Sequence, residues 1–150
     1  MVRFETHEVR NQPPPFEDVD LYALDLPLRE GVVREGAAWA EARLQAFGAR
    51  VGSAEVMELG REANRHTPEL RAYDRYGQRV DEVAFHPAWH AVMRLAMQHE
   101  VHNLPWREPR PGAHVARSAL HAMLSQVESG SCCPLTMTFA CRPALAHAPA

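Results

Sequence analysis

The chain has 150 residues, of which 46% are apolar, which is enough to build the core of one ordinary domain. Its formal net charge is −3 and its basic residues are all arginines spread along the chain, so it lacks the basic patch expected of a nucleic-acid-binding surface. No apolar run reaches the ~18 residues of a membrane helix, and the three cysteines, Cys132, Cys133 and Cys141, lack the spacing of a disulfide framework.

The first part of the chain, residues 1–24, is predicted to be an extended arm. Three consecutive prolines, residues 13–15, favour a polyproline conformation and exclude a helix at that point. Phe16, Leu21 and Tyr22 are large apolar side chains, so we expect the arm to lie on a surface of the protein. The mixed, charged first residues are not typical of a signal peptide, and we expect a cytoplasmic protein.

Two helices are predicted after the arm. Asp25 suits the N-cap of the first helix, and Gly48 is typical of the position that follows a helix end. Gly31 and Gly36 each weaken this first helix by on the order of 1 kcal/mol relative to alanine. Ser53 suits the N-cap of the second helix.

Residues 66–86 leave the helical pattern. A turn at Gly77 separates two short segments, which predicts a small β-hairpin or an irregular excursion. A third helix is predicted to open at His86, with Pro87 in its first turn, and to end at residues 104–106.

A fourth helix is predicted from about Ala113 to Glu128, with one apolar and one polar face. The polar face carries His114, Arg117, Ser118, His121, Ser125 and Glu128. His114 and His121, with Arg117 between them, would suit an anion or a partner surface. We expect a solvated face instead, because Glu128 adds the opposite charge.

Residues 132–141 form a nearly continuous apolar run, for which we expect a buried extended segment. In such a segment the hydroxyl groups of Thr136 and Thr138 face the same side. They either line a pocket or simply favour a strand. An apolar run at the end of the chain needs something to pack against, which indicates that the protein continues or needs a partner.

The nine histidines prompt a search for metal ligands. His86 and His90 share one helical face, as do His99 and His102, but His90 and His99 lie about 180° apart around a helix. The four side chains therefore cannot converge on one ion. Glycine-rich phosphate loops are also absent. We expect no catalytic, cofactor-binding or metal-binding residue in this chain.

Six motifs of the chain match one protein family in order and spacing. They are THEVRNQPPP (6–15), REGAAW (34–39), LGREAN (59–64), FHPAWH (85–90), SQVESGS (125–131) and CPLTMTFA (133–140). The chain resembles AidB-like flavoproteins, which are members of the acyl-CoA dehydrogenase family associated with the adaptive response to DNA alkylation. The motifs cover nearly the whole chain, and none of them is catalytic.

The resemblance implies a mainly α fold, the amino-terminal helical domain of an acyl-CoA dehydrogenase, with a small β-hairpin and a terminal extended segment. We expect an arm over residues 1–24, a helical domain over 25–131 and the start of a truncated segment over 132–150. In the family FAD, the catalytic base and a DNA-binding region lie in later domains, and the proteins are homotetramers.

The resemblance therefore implies a chain that binds no FAD by itself and is inactive alone. We expect it to supply a wall of the substrate pocket, and Trp106, Thr136 and Thr138 are the candidate residues. A free-standing, non-catalytic binding module is the alternative function.

Overall fold

The computed structural model of the chain describes residues 7–148, so residues 1–6 of the predicted arm and residues 149–150 of the predicted terminal segment lie outside the described residues. In chain order the elements are α1 (Leu21–Leu24), α2 (Leu26–Arg34), a 3-10 turn (Ala38–Ala40), α3 (Glu41–Val51), α4 (Ala54–Arg65), β1 (Glu69–Tyr73), β2 (Arg79–Ala84), α5 (Pro87–Gln98), α6 (Leu104–Arg107), α7 (Ala113–Val127) and α8 (Cys132–Ala146). None of the described helices combines the length and apolarity that crossing a bilayer requires.

Within the described part of the predicted arm, residues 7–20 form neither helix nor strand, whereas residues 21–24 form α1. Asp20 caps α1, because its carboxylate accepts the backbone N–H groups of Tyr22 and Ala23 at 3.0 Å each. The side chains of Leu21 and Tyr22 are buried. The prediction of an extended conformation through residue 24 is therefore wrong for this short helix, which packs against α3.

The first predicted helix is divided into α2 and α3. Asp25 caps α2 as predicted, and it accepts the N–H of Leu28 at 2.9 Å. The break comes at Gly36, whose φ of +79° lies in the left-handed region that favours glycine. Gly48 lies inside α3 rather than after it, and Gly52 is the C-cap.

The β-hairpin is confirmed: β1 and β2 pair antiparallel, with Glu69 opposite Ala84. Ser53 and His86 cap α4 and α5 as predicted. However, α5 ends at Gln98, and residues 104–107 form the separate helix α6.

The break between α5 and α6 occurs at Glu100, which has a φ of +62°. The carboxylate of Glu100 is 11% exposed and pairs with Arg43 at 2.6 Å and with Arg107. A non-glycine residue in this conformation persists where its surroundings hold it, and the two arginines do so here.

Helix α7 lies at the centre of the protein, in contact with α2, α3, α4, α6 and α8. Its predicted apolar face is buried, and Leu120 and Met123 are inaccessible to solvent. Phe47 of α3 and Leu135 of α8 are also fully buried. Burying a side chain of this size contributes about 1.5–3 kcal/mol, so the contacts around α7 hold the helices together.

The predicted terminal extended segment is wrong, because residues 132–146 form the helix α8. Leu135 and Cys132 turn toward the core, whereas Met137 and Leu145 are 58% and 68% exposed. Pro134 lies in the first turn of α8, where a missing N–H costs nothing. A continuous apolar run has no period that separates a strand from a buried helix, so the pattern alone did not reveal this helix.

Candidate functional site

The predicted pocket residues Trp106, Thr136 and Thr138 lie where α6, α7 and α8 meet. The helical conformation of α8 separates the two threonines, because residues two positions apart point about 200° apart around a helix. The hydroxyl of Thr138 donates to the carbonyl of Pro134 at 2.9 Å, and this side chain is exposed. Trp106 and Thr136 are half-buried and belong to one cluster.

Trp106 is held by a main-chain group of α8. Its indole N–H donates to the carbonyl oxygen of Phe139 at 3.1 Å. In a regular helix this carbonyl would accept the N–H of residue 143, but that residue is Pro143, which has no N–H. The indole therefore satisfies an acceptor that the sequence of α8 leaves free.

Three rings form an aromatic cluster, which consists of Trp106, His114 and Phe139. The indole stacks on the ring of Phe139 with centroids 5.1 Å apart and planes 25° apart. The ring of His114 meets both edge-on, at 5.3 Å from Trp106 and 5.8 Å from Phe139. These offset and edge-to-face contacts are the preferred arrangements of aromatic pairs, so the orientation of Trp106 is defined by several contacts.

Arg117 lies beneath the aromatic cluster and is only 9% exposed. Its Nε donates to the carbonyl of Val101 at 2.9 Å, and its Nη2 donates to the hydroxyl of Thr136 at 3.3 Å. Its guanidinium carbon lies 4.5 Å from the centroid of Phe139. Within residues 7–148 no carboxylate forms a salt bridge with Arg117. The cation is thus stabilised by neutral acceptors and an aromatic face.

Burial lowers the pKa of the Arg117 guanidinium from its ordinary value, because desolvation disfavours the charged form. His121 is affected similarly: burial first, and then the positive charge of Arg117, lowers its pKa. The hydroxyl of Thr136 lies 3.1 Å from the Nε2 atom of His121. Since this hydroxyl accepts from Arg117, it can donate its proton to a neutral His121 ring.

The predicted solvated face of α7 is thus only partly correct. His114, Ser118 and Ser125 are exposed, but Arg117 and Glu128 are buried. The carboxylate of Glu128 accepts the backbone N–H groups of residues 130 and 131, in the turn that leads into α8. These groups are covered because α8 folds back over one edge of α7.

The cysteines also differ from one another. Cys132 is buried, as expected of a small apolar residue, whereas Cys133 and Cys141 are exposed. Burial, reinforced by the nearby Glu128 carboxylate, raises the pKa of the Cys132 thiol. Cys132 is therefore a neutral core residue and not an activated nucleophile.

Sequence reasoning missed Phe139 and Pro143 as members of this site, and it placed Arg117 on a solvated face of α7. A signal was present for one of them, because the proline four residues after Phe139 marks a helix carbonyl that needs another donor. The free carbonyl of Phe139 can be inferred from Pro143 only once residues 132–146 are known to form a helix. The hydroxyl of Thr136 meets His121 but also accepts from the buried Arg117, and the geometry of the aromatic cluster suits packing and orientation.

Comparison with known proteins gives a consistent result. Residues 11–150 match the family model of the Adaptive response protein AidB N-terminal domain. The chain is 50% identical over 145 residues to the acyl-CoA dehydrogenase-like protein AidB of Escherichia coli (strain K12). That alignment covers 96% of this chain but 27% of the relative, so the chain spans about a quarter of the relative's length.

Two solved structures share the fold. ACDH-11 of Caenorhabditis elegans, crystallised in complex with C11-CoA, matches with a TM-score of 0.75 and 21% identity, covering 95% of this chain and 25% of that one. The apo form of Bd2924 matches with a TM-score of 0.78 and 19% identity, covering 91% of this chain and 28% of that one. The likeness confirms a mainly helical domain of the acyl-CoA dehydrogenase fold with a small β-hairpin.

Proposed function

Because the chain belongs to the family of AidB amino-terminal domains, we propose that it is the amino-terminal part of a flavoprotein that acts in the cytoplasmic response to DNA alkylation. In this proposal FAD, the catalytic base and the DNA-binding region belong to later domains of a longer, homotetrameric protein. This chain supplies scaffold and one wall of the substrate cavity.

The exposed second half of α8 is the observation that carries the proposal. Residues 140–148 are all exposed. Met137 and Leu145 are large apolar side chains on this exposed surface of α8. A helix that presents such side chains to water lacks the polar outer face of a finished surface helix. Further protein packed along this half of α8 would bury them, as the extra length of the relative allows.

We assign the wall of the substrate cavity to the aromatic cluster and its neighbours. Trp106 is oriented by Phe139 and remains half-buried, so it can contact an apolar ligand without reordering. Thr138 is exposed on α8 and can contact a neighbouring domain. The hydroxyl of Thr136 is already bonded to Arg117 and His121, so we assign it to positioning these groups behind the wall.

A flavin-binding experiment tests whether FAD is bound by this chain or by later domains. The purified chain, titrated with FAD and followed by flavin fluorescence, is expected to bind none, because the proposal assigns the flavin site to later domains. A yellow chain with stoichiometric flavin would contradict the proposal. Sequencing the gene beyond codon 150 supplies the second test, since a continuing reading frame that encodes a flavin-binding domain is expected.

A free-standing binding module is the second candidate, and the closed core favours it. The buried residues extend from Leu21 in α1 to Leu135 in α8, and they form one cluster. A module of this kind should unfold in a single cooperative transition as a stable monomer. Aggregation of the isolated chain, relieved when the following domain is co-expressed, would favour the flavoprotein domain instead.

A further inference from the structure

A second group of polar side chains lies at the base of the β-hairpin. Glu62 and His66 lie one turn apart at the end of α4, and His86 is the N-cap residue of α5. One ligand atom from each side chain lies within 4.8 Å of the other two. The sequence pattern directed attention to histidines three or four positions apart on one helical face, whereas the hairpin brings together His66 and His86, which are 20 positions apart.

The distances are close to those of a metal site. Three donors around a tetrahedral zinc ion lie about 3.3 Å from one another. The Nε2 atom of His66 already lies 3.1 Å from a carboxylate oxygen of Glu62. The rings of His66 and His86 stack with centroids 4.4 Å apart and planes 13° apart. The nitrogen lone pairs lie in the planes of the rings, and these planes are nearly parallel, so binding one ion requires at least one ring to turn.

The contacts of both rings are consistent with such a rotation. The side chain of His66 is 48% exposed. The Nδ1 atom of His86 accepts the N–H of Ala88 at 3.3 Å, which is longer than a normal hydrogen bond. Arg65 approaches Glu62 at 3.5 Å, but its side chain is 76% exposed, and surface pairs of this kind are weak.

The donor set identifies the class of ion. Two imidazoles and one carboxylate suit zinc and its neighbours among the divalent transition metals. Magnesium and calcium prefer all-oxygen sites and are disfavoured. Glu62 and His86 line one open groove, so an ion can reach both side chains from solvent.

We propose that Glu62, His66 and His86 bind a divalent transition-metal ion of the zinc class, and that the ion ties the two ends of the β-hairpin together. This proposal departs from the expectation that the chain binds no metal. Both strands of the hairpin are mostly exposed, so few packing contacts restrain them. Bound metal joins residues 66 and 86 and thereby limits the motion of the segment between them.

Calorimetric titration of the full 150-residue chain with zinc chloride tests the site. Saturable binding of one ion per chain is expected. The variants Glu62→Gln, His66→Gln and His86→Asn should each weaken the affinity at least about tenfold. Asparagine at position 86 removes the imidazole but keeps an acceptor at the N-cap of α5, so a loss of binding is not a loss of fold.

Two controls separate this site from adventitious binding. His90→Gln removes an exposed histidine from the same helix, and the double variant Cys133→Ser/Cys141→Ser removes both exposed thiols. Both controls should bind zinc with unchanged affinity. Absence of saturable binding, or binding that survives His66→Gln, would overturn the proposal.

Hydrogen exchange tests the effect on the hairpin. Zinc should slow amide exchange in β1 and β2 of the unaltered chain and leave exchange in His66→Gln unchanged. If zinc binds with the expected dependence on these residues but exchange in the hairpin stays the same, the ion does not clamp the hairpin, and that part of the proposal is wrong.

Discussion

The indole N–H of Trp106 donates to the main-chain carbonyl of Phe139 at 3.1 Å, and this is the carbonyl that Pro143 leaves without a helical donor. The contact joins α6 to α8 and orients the aromatic cluster. It also explains how α8 accommodates an internal proline. A carbonyl that has no N–H donor within its own helix accepts a hydrogen bond from a side chain of another helix.

Trp106→Phe should lower the free energy of unfolding by at least about 1 kcal/mol, because an aromatic ring remains but the hydrogen bond and part of the packed ring surface are lost. Urea denaturation measures the change. In a Pro143→Ala background, position 143 has an N–H that can bond to Phe139, so the same substitution should cost less. Equal losses in the two backgrounds would show that the indole bond does not depend on Pro143.

Gly60→Ala should destabilise the protein by about 1–3 kcal/mol, since added volume in a tight contact forces the backbone to shift. A Cβ atom at Gly60 would lie 2.3 Å from the carbonyl oxygen of Val127, so α4 and α7 would have to separate. Gly31→Ala is the matched control. It adds a Cβ in α2 with nothing within 4 Å, and should stabilise by up to about 1 kcal/mol.

Leu135→Ala should cost about 2–5 kcal/mol, because Leu135 is fully buried and a cavity would remain. Met137→Ala, on the exposed side of α8, should change the free energy of unfolding of the isolated chain by less than about 0.5 kcal/mol. Chemical denaturation of both variants checks the orientation of α8. The reverse order of effects would place the opposite face of this helix against the core.

The protein should lose stability as the pH falls through and below 6.5. Burial lowers the pKa values of His99, His102 and His121 from 6.5, so the unfolded chain binds more protons than the folded chain in this range. Urea denaturation at pH 7.5 and pH 5.5 measures the loss. His121→Gln cannot titrate, and it should show a smaller loss between the two pH values. An unchanged loss in this variant would remove His121 from the explanation.

Several features could be predicted because they depend on residues a few positions apart. Asp25, Ser53 and His86 cap their helices, and Gly77 lies in the hairpin turn at a φ of +82°. Capping and turn formation are decided by local hydrogen bonds and by the backbone preference of single residues. The six motifs likewise predicted the family, since their order and spacing are properties of the chain alone.

The tertiary structure decided the conformation of residues 132–146 and the burial of Arg117. An apolar run without a period is compatible with a strand or a buried helix, and only the packing of Leu135 against the core selects the helix. Arg117 stands on the polar face of α7, yet α8 covers it.

At the candidate site, the hydrogen bond of Trp106 depends both on the local sequence and on the tertiary structure. The sequence by itself determined that an indole donor is present and that Pro143 lacks a backbone N–H. Only the fold brought the donor to Phe139, 33 residues away along the chain. The physical reason is that local preferences act within one helical turn, whereas burial and contacts between helices depend on how distant segments fill a common core.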